Sequence, residues 1–178
     1  KHTLSASISY AEWNKTKVNI IDTPGFANFF SDVRAALGVA DAALVVIDAV
    51  SGVEVQTEKA WEEADAQELP RMVVLSRMDR ERASLGRTLG TIQASFGRMV
   101  VPIQMPIGEE KNFRGVVDLV GMKAYTFAAD DSGKMTEGAV PAELTGAVTA
   151  ARDALVEMVA EADDTLIEKF FDSGTLSQ

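Results

Sequence analysis

The chain has 178 residues, 47% of them hydrophobic, with no cysteine, one histidine (His2) and a formal net charge of −10. That length suits one domain with a smaller subdomain. The residue content excludes disulfides and thiolate metal centres and argues against a His-based zinc site. The acidic balance argues against a broad nucleic-acid surface, so DNA is not an expected partner. With no apolar run long enough to span a bilayer and nothing like a signal peptide after Lys1, the expectation is a piece cut from a longer cytoplasmic protein, without a membrane partner.

Leu4, Ala6, Ile8 and Tyr10 alternate with serines, the period of a half-buried strand. A polar turn at Trp13-Asn14-Lys15-Thr16 leads to a second strand ending at Asp22, so the two are expected to form an antiparallel hairpin. Phe29, Val33, Ala36, Leu37 and Ala40 then mark a short amphipathic helix. Ala42 to Asp48 is an apolar strand, Glu54 to Glu68 a helix stopped by Pro70, and Arg71 to Ser76 a third apolar strand emptying into Arg77-Met78-Asp79. Leu85, Leu89, Ile92 and Phe96 recur at helical spacing, and this alternation predicts βαβ units with a parallel sheet.

From Val100 the texture changes to short β-like runs broken by glycine and proline, and a subdomain boundary is expected near Phe96 to Val100. Asp130 to Gly138 reads as a polar loop. A helix opens at Pro141 with Leu144, Val148, Ala151, Leu155 and Val159 on one face. Asp164-Thr165 caps a last short helix that Gly174 ends. Pro141 to Gln178 holds eight carboxylates against Arg152 and Lys169, which reads as a solvated helix face or as a docking face for basic partners.

The chemistry concentrates at Val18-Asn19-Ile20-Ile21-Asp22-Thr23-Pro24-Gly25. Three large apolar side chains run into a carboxylate and a Pro-Gly turn, the pattern of a buried strand ending at the ligand edge of an α/β sheet. Asp22 is well placed there to hold a metal ion near a phosphate. Gly25 lets a backbone N–H approach that phosphate with no Cβ in the way. By itself D-x-x-G also reads as a plain turn after a strand.

Asp22-Thr23-Pro24-Gly25 and Ser76-Arg77-Met78-Asp79 resemble two fingerprints of translational GTPases, and Asp48 to Thr57 looks like the stretch between them. The later run Pro106-Ile107-Gly108, Gly115 to Asp118 and Met122 to Tyr125 is similar to the insert that the elongation factor G family carries in its GTPase domain. The chain is thereby identified as an internal piece of an elongation factor G or a close paralogue. The implied fold is α/β, a P-loop GTPase-like three-layer sheet that is incomplete, with the first strand and P-loop absent. Residues 1–98 would form the partial GTP-binding domain and residues 99–178 an inserted α+β subdomain. The resemblance implies GTP or GDP with Mg²⁺ as cofactors of the complete protein. Asp22 and Thr3 would serve the metal, Thr23, Pro24 and Gly25 the γ-phosphate switch, and Ser76, Arg77 and Asp79 the guanine base. A buried carboxylate at Asp79 would accept from guanine's ring N–H and exocyclic amine, which adenine cannot match. Thr3 also reads as an ordinary strand-edge threonine and Asp79 as a helix-capping acid. The implied partner is the ribosome, with the ribosomal stalk expected on the acidic helix 142–161.

Three departures stand beside these matches. Phe26 occupies the family's histidine position and has no atom that can orient water. Ser76 replaces the asparagine of Asn-Lys-x-Asp and is too short to repeat its amide contacts, while Arg77 can stack on a purine as the lysine stem does. No G-x-x-x-x-G-K-[ST] occurs. The strand that carries it would lie between those ending at Asp22 and Asp48, so the piece alone is expected to bind GTP poorly or not at all, with none bound. The implied activity is GTP hydrolysis in the complete protein; the alternative is a degenerate GTP-binding switch or interaction module with little hydrolysis.

Overall fold

The structure, a computed structural model, describes residues 3–130 and 132–176. His2, the one histidine, lies outside them. The chain packs as two compact units, Lys1–Ser76 and Arg77–Gln178.

The first unit begins with a hairpin, β1 (Ser7–Trp13) and β2 (Thr16–Asp22), paired antiparallel from Ser7 opposite Asp22 to Trp13 opposite Thr16. Asn14 and Lys15 both take positive φ, 46° and 64°, the backbone of a tight turn whose twist matches its strands. A 3-10 turn at Ala27–Phe29 leads into α1 (Phe30–Leu37), which buries Val33 and Ala36. Next come β3 (Ala43–Asp48), α2 (Val55–Ala66) and β4 (Arg71–Ser76), with β3 and β4 parallel from Ala43 opposite Arg71 to Asp48 opposite Ser76. The expected βαβ unit is therefore present.

Burial in this unit departs from the apolar pattern. Val18 and Ile20 of β2 are nearly half exposed, so β2 is not the buried strand that its sequence suggests. On β3 and β4, Leu44, Val46, Met72 and Val74 are exposed while Ile47 is buried, so one face only is covered. The cause is pairing: β2 bonds only to β1 and β3 only to β4, and no strand among the described residues joins β2 to β3.

The second unit opens with α3 (Leu85–Phe96), followed by an antiparallel meander of β5 (Gln104–Ile107), β6 (Gly115–Asp118), β7 (Lys123–Phe127) and β8 (Met135–Gly138). Two helices close it, α4 (Thr145–Ala160) and α5 (Asp164–Ser173). Its core joins Ile107, Val117, Leu119 and Ala124 of the sheet side to Val148 and Leu155 of α4. The compact units meet after Ser76, and α3 packs within the second of them. The Gln93 side chain donates to the Val100 carbonyl (3.0 Å) and the Arg82 N–H to Glu110 (2.8 Å), which ties the α3 region to residues 100–110.

Three local expectations change. Met135–Gly138, read as loop, is an edge strand, exposed at every position and so without an inward apolar signal. On α4, Val156 and Ala160 are buried and Val159 is 43% exposed, a shift of one position in the inward face. The cap of α5 is Asp163, whose carboxylate accepts from the Thr165 hydroxyl and from its N–H at 2.7 Å. Those bonds, the hydroxyl first, hold the Asp163 carboxyl below the usual aspartate range. Among the described residues no helix is long and apolar enough to cross a membrane.

The meander tolerates no side chain at Gly115. A Cβ there would sit 2.1 Å from the Tyr125 carbonyl oxygen and 2.9 Å from the Thr126 Cα on the paired strand, both backbone atoms. Gly115→Ala should therefore force β6 and β7 apart and lower stability by roughly 3 kcal/mol, read as a shift in the urea midpoint of the complete protein.

Candidate functional site

The strand ends carry the site. Asp22 closes β2 opposite the first residue of β1, and its carboxylate is exposed. From the segment leading into β1, the Thr3 hydroxyl donates to Asp22 Oδ2 at 3.2 Å. Two hard oxygen donors thus meet at the open end of the hairpin. Beyond Asp22 the chain turns through half-buried Thr23 and buried Pro24 to exposed Gly25. Nothing lies within 4 Å of where a Gly25 Cβ would be, so its backbone is open to approach.

Phe26 follows in an extended conformation (φ −87°, ψ 142°) with its side chain 49% exposed. Its carbonyl accepts the Phe29 N–H at 3.0 Å and so starts the turn into α1. Its phenyl ring, next in sequence to Gly25, has no hydrogen-bonding atom to offer.

At the end of β3 the Asp48 carboxylate accepts the Val50 N–H (2.7 Å) and the Ser51 N–H (3.3 Å), while its carbonyl accepts Gly52 N–H (2.8 Å). Asp48 is thus committed to its own turn, which delivers the chain to Glu54. There the Thr57 hydroxyl accepts the Glu54 N–H at 3.3 Å and fixes the start of α2. At the end of β4, Ser76 Oγ donates to the Ile47 carbonyl (3.3 Å) and its carbonyl accepts Ala49 N–H (3.0 Å). Short as it is, Ser76 ties the two strand ends together.

Arg77 is in the left-handed region (φ 59°), Met78 is buried beneath the loop, and the Arg77 carbonyl accepts the Arg80 N–H at 3.1 Å. Asp79 is exposed, which corrects the expectation of a buried carboxylate at this position. Asp22 and Asp79 fall in different compact units, and each is described within its own.

Sequence reasoning missed one residue at this site. Asp32, in the first turn of α1, accepts the Ala6 N–H at 2.9 Å across 26 residues. From the sequence it reads only as an acid suited to a helix N-terminus. Further along the same helix, Arg34 donates to Glu63 of α2 at 3.0 Å. Glu63 also accepts from Gln67, and these bonds, Arg34's first, lower its pKa. The pair aligns α1 with α2. Among the described residues no group of three or more acidic or histidine side chains could hold a metal ion. Magnesium does not require one, because it commonly keeps its waters and takes one or two protein oxygens beside phosphate.

Residues 1–169 match the family described as elongation factor Tu GTP binding domain. The chain belongs to that family. It is 36% identical over 176 residues to an elongation factor G from Thermotoga neapolitana, a match covering 99% of this chain and 25% of that protein. A crystal structure from Thermus thermophilus has the same fold, with a TM-score of 0.88 and 32% identity over 96% of this chain and 25% of the other. This member of the GTP-binding domain family therefore spans about a quarter of the length of both relatives.

Proposed function

We propose that the complete protein carrying this chain is a translational GTPase of the elongation factor G type, which couples GTP binding or hydrolysis to ribosome engagement. The observation that carries this reading is the match to the GTP-binding domain family and to an elongation factor G, and the 3.2 Å hydrogen bond between Thr3 and Asp22 agrees with it. That bond brings a hydroxyl and a carboxylate together at the end of β2, and such oxygens suit Mg²⁺. When bound, the metal would neutralise charge on the β- and γ-phosphates. Thr23, Pro24 and Gly25 form the phosphate-facing turn, and Ser76, Arg77 and Asp79 the base-recognition loop. Arg77 offers a flat guanidinium for stacking on the purine, and Asp79 two acceptor oxygens.

On this reading Thr3 and Asp22 serve the metal, Arg77 and Asp79 serve the base, and none of them belongs to a glycine-rich phosphate loop. The edges of β2 and β3 that no described strand pairs with support a further strand of the complete protein between them, carrying that loop. The boundary of the GTP-binding portion near residue 98, with an inserted subdomain after it, belongs to the same reading.

A second reading is favoured by Phe26. A ring that cannot position water removes the family's hydrolytic trigger, which leaves a GTP-dependent switch with little turnover. Measuring GTP turnover by the complete protein with and without ribosomes separates the two. Strong ribosome stimulation supports the hydrolase, whereas tight GTP binding with flat turnover supports the silent switch.

Ribosome engagement places the protein in the cytoplasm, and the stalk remains the proposed partner of the acidic helix region 142–161. Two of its carboxylates are already paired, Glu143 with Arg114 (3.5 Å) and Glu161 with Arg98 (3.3 Å). Asp153 and Glu157 are exposed on α4 and are the groups available to a basic partner.

A further inference from the structure

The segment before β1 is held at two points by two carboxylates from different elements. Thr3 Oγ1 donates to Asp22 Oδ2 at 3.2 Å, and the Ala6 N–H donates to Asp32 Oδ2 at 2.9 Å. The first bond is made by groups that a metal ion would recruit, so metal binding would exchange it for metal contacts. The second involves neither candidate ligand and can persist in the loaded state. It also reaches α1, the helix that the chain enters through the 3-10 turn following Asp22-Thr23-Pro24-Gly25 and Phe26.

We propose that Asp32 is a positioning residue that presents Thr3 to the metal site by anchoring the Ala6 backbone to α1. This rests on the reading of Thr3 and Asp22 as the magnesium groups. Its consequence is mechanical. Residues 3–6 and α1 move as one piece, so a change in the turn at Gly25 that displaces α1 withdraws Thr3. Binding that requires Thr3 is then sensitive to Asp32, although Asp32 touches neither metal nor nucleotide. A carboxylate suits this task because a charged acceptor roughly doubles the strength of a bond to a backbone N–H.

The test uses the complete protein as wild type, Asp32→Ala and Asp32→Glu. In nucleotide-free protein, hydrogen–deuterium exchange should quicken roughly tenfold at residues 3–6 in Asp32→Ala, with the β1–β2 hairpin itself unchanged. In Mg²⁺, Asp32→Ala should weaken binding of a non-hydrolysable GTP analogue roughly tenfold while GDP affinity stays constant, because on the proposed reading Thr3 closes over the metal together with the γ-phosphate. Asp32→Glu, which keeps the charged acceptor, should restore much of both effects. Equal losses for both nucleotides, or loosening of the whole hairpin with a lowered melting temperature, would reduce Asp32 to a structural residue and overturn the proposal. Unchanged exchange at residues 3–6 would do so as well. If wild type fails to bind the GTP analogue at all, the parent reading falls and takes the proposal with it; if it binds and the GTP-to-GDP ratio ignores Asp32, the proposal alone falls.

Discussion

Phe26→His in the complete protein should raise ribosome-stimulated GTP turnover by about two orders of magnitude. Position 26 directly follows Asp22-Thr23-Pro24-Gly25, and its side chain is 49% exposed, so exchanging the ring removes little packing. An imidazole would supply what phenyl lacks, a nitrogen able to hydrogen-bond and orient the attacking water. Groups acting in this way typically contribute about 10²–10⁴ in rate. Binding of GTP should change little, because position 26 is not asked to contact the nucleotide in the ground state. A single-turnover assay on ribosomes reads the effect. An unchanged rate would mean that another residue positions the water or that the site lacks catalytic geometry for further reasons, Ser76 among them.

Asp79→Ala should weaken GTP binding roughly a hundredfold and abolish preference for guanine over hypoxanthine. Two hydrogen bonds to an ionised carboxylate, each worth about 1.5 kcal/mol or more, sum to about 3 kcal/mol. Hypoxanthine keeps the ring N–H and lacks the exocyclic amine, so comparing GTP with inosine triphosphate isolates one of the two bonds. Wild type should favour GTP, and the alanine variant should bind both alike. Because Asp79 is exposed and Met78 beside it is buried, the substitution should leave the loop's packing in place. Equal binding of the two nucleotides by wild type would remove Asp79 from base recognition.

The order of strands and helices was legible because apolar runs are punctuated by turn residues. Asp22 is followed by Pro24-Gly25, Asp48 by Ser51-Gly52, and α2 is stopped before Pro70. Burial was not legible in the same way. Val18-Asn19-Ile20-Ile21 reads as interior, but what covers a strand depends on its neighbours, and β2 has only β1. Met135–Gly138 was missed because an exposed edge strand needs no alternation. Among site residues, Asp22 and Gly25 carry a local signal in their strand-end position. Thr3 is recognisable only by resemblance, and its 3.2 Å contact with Asp22 comes from the hairpin register that returns the chain to where it began. Asp32 had no readable role because its partner is a backbone N–H 26 residues away.

Ribosome affinity measured in two nucleotide states tests the central claim most directly, and it does not depend on whether Phe26 permits hydrolysis. The complete protein would be sedimented with ribosomes in Mg²⁺ and either a non-hydrolysable GTP analogue or GDP. A GTP-gated ribosomal factor predicts binding at least tenfold tighter with the GTP analogue, a difference of about 1.4 kcal/mol. Equal binding in both states, or none in either, would contradict it.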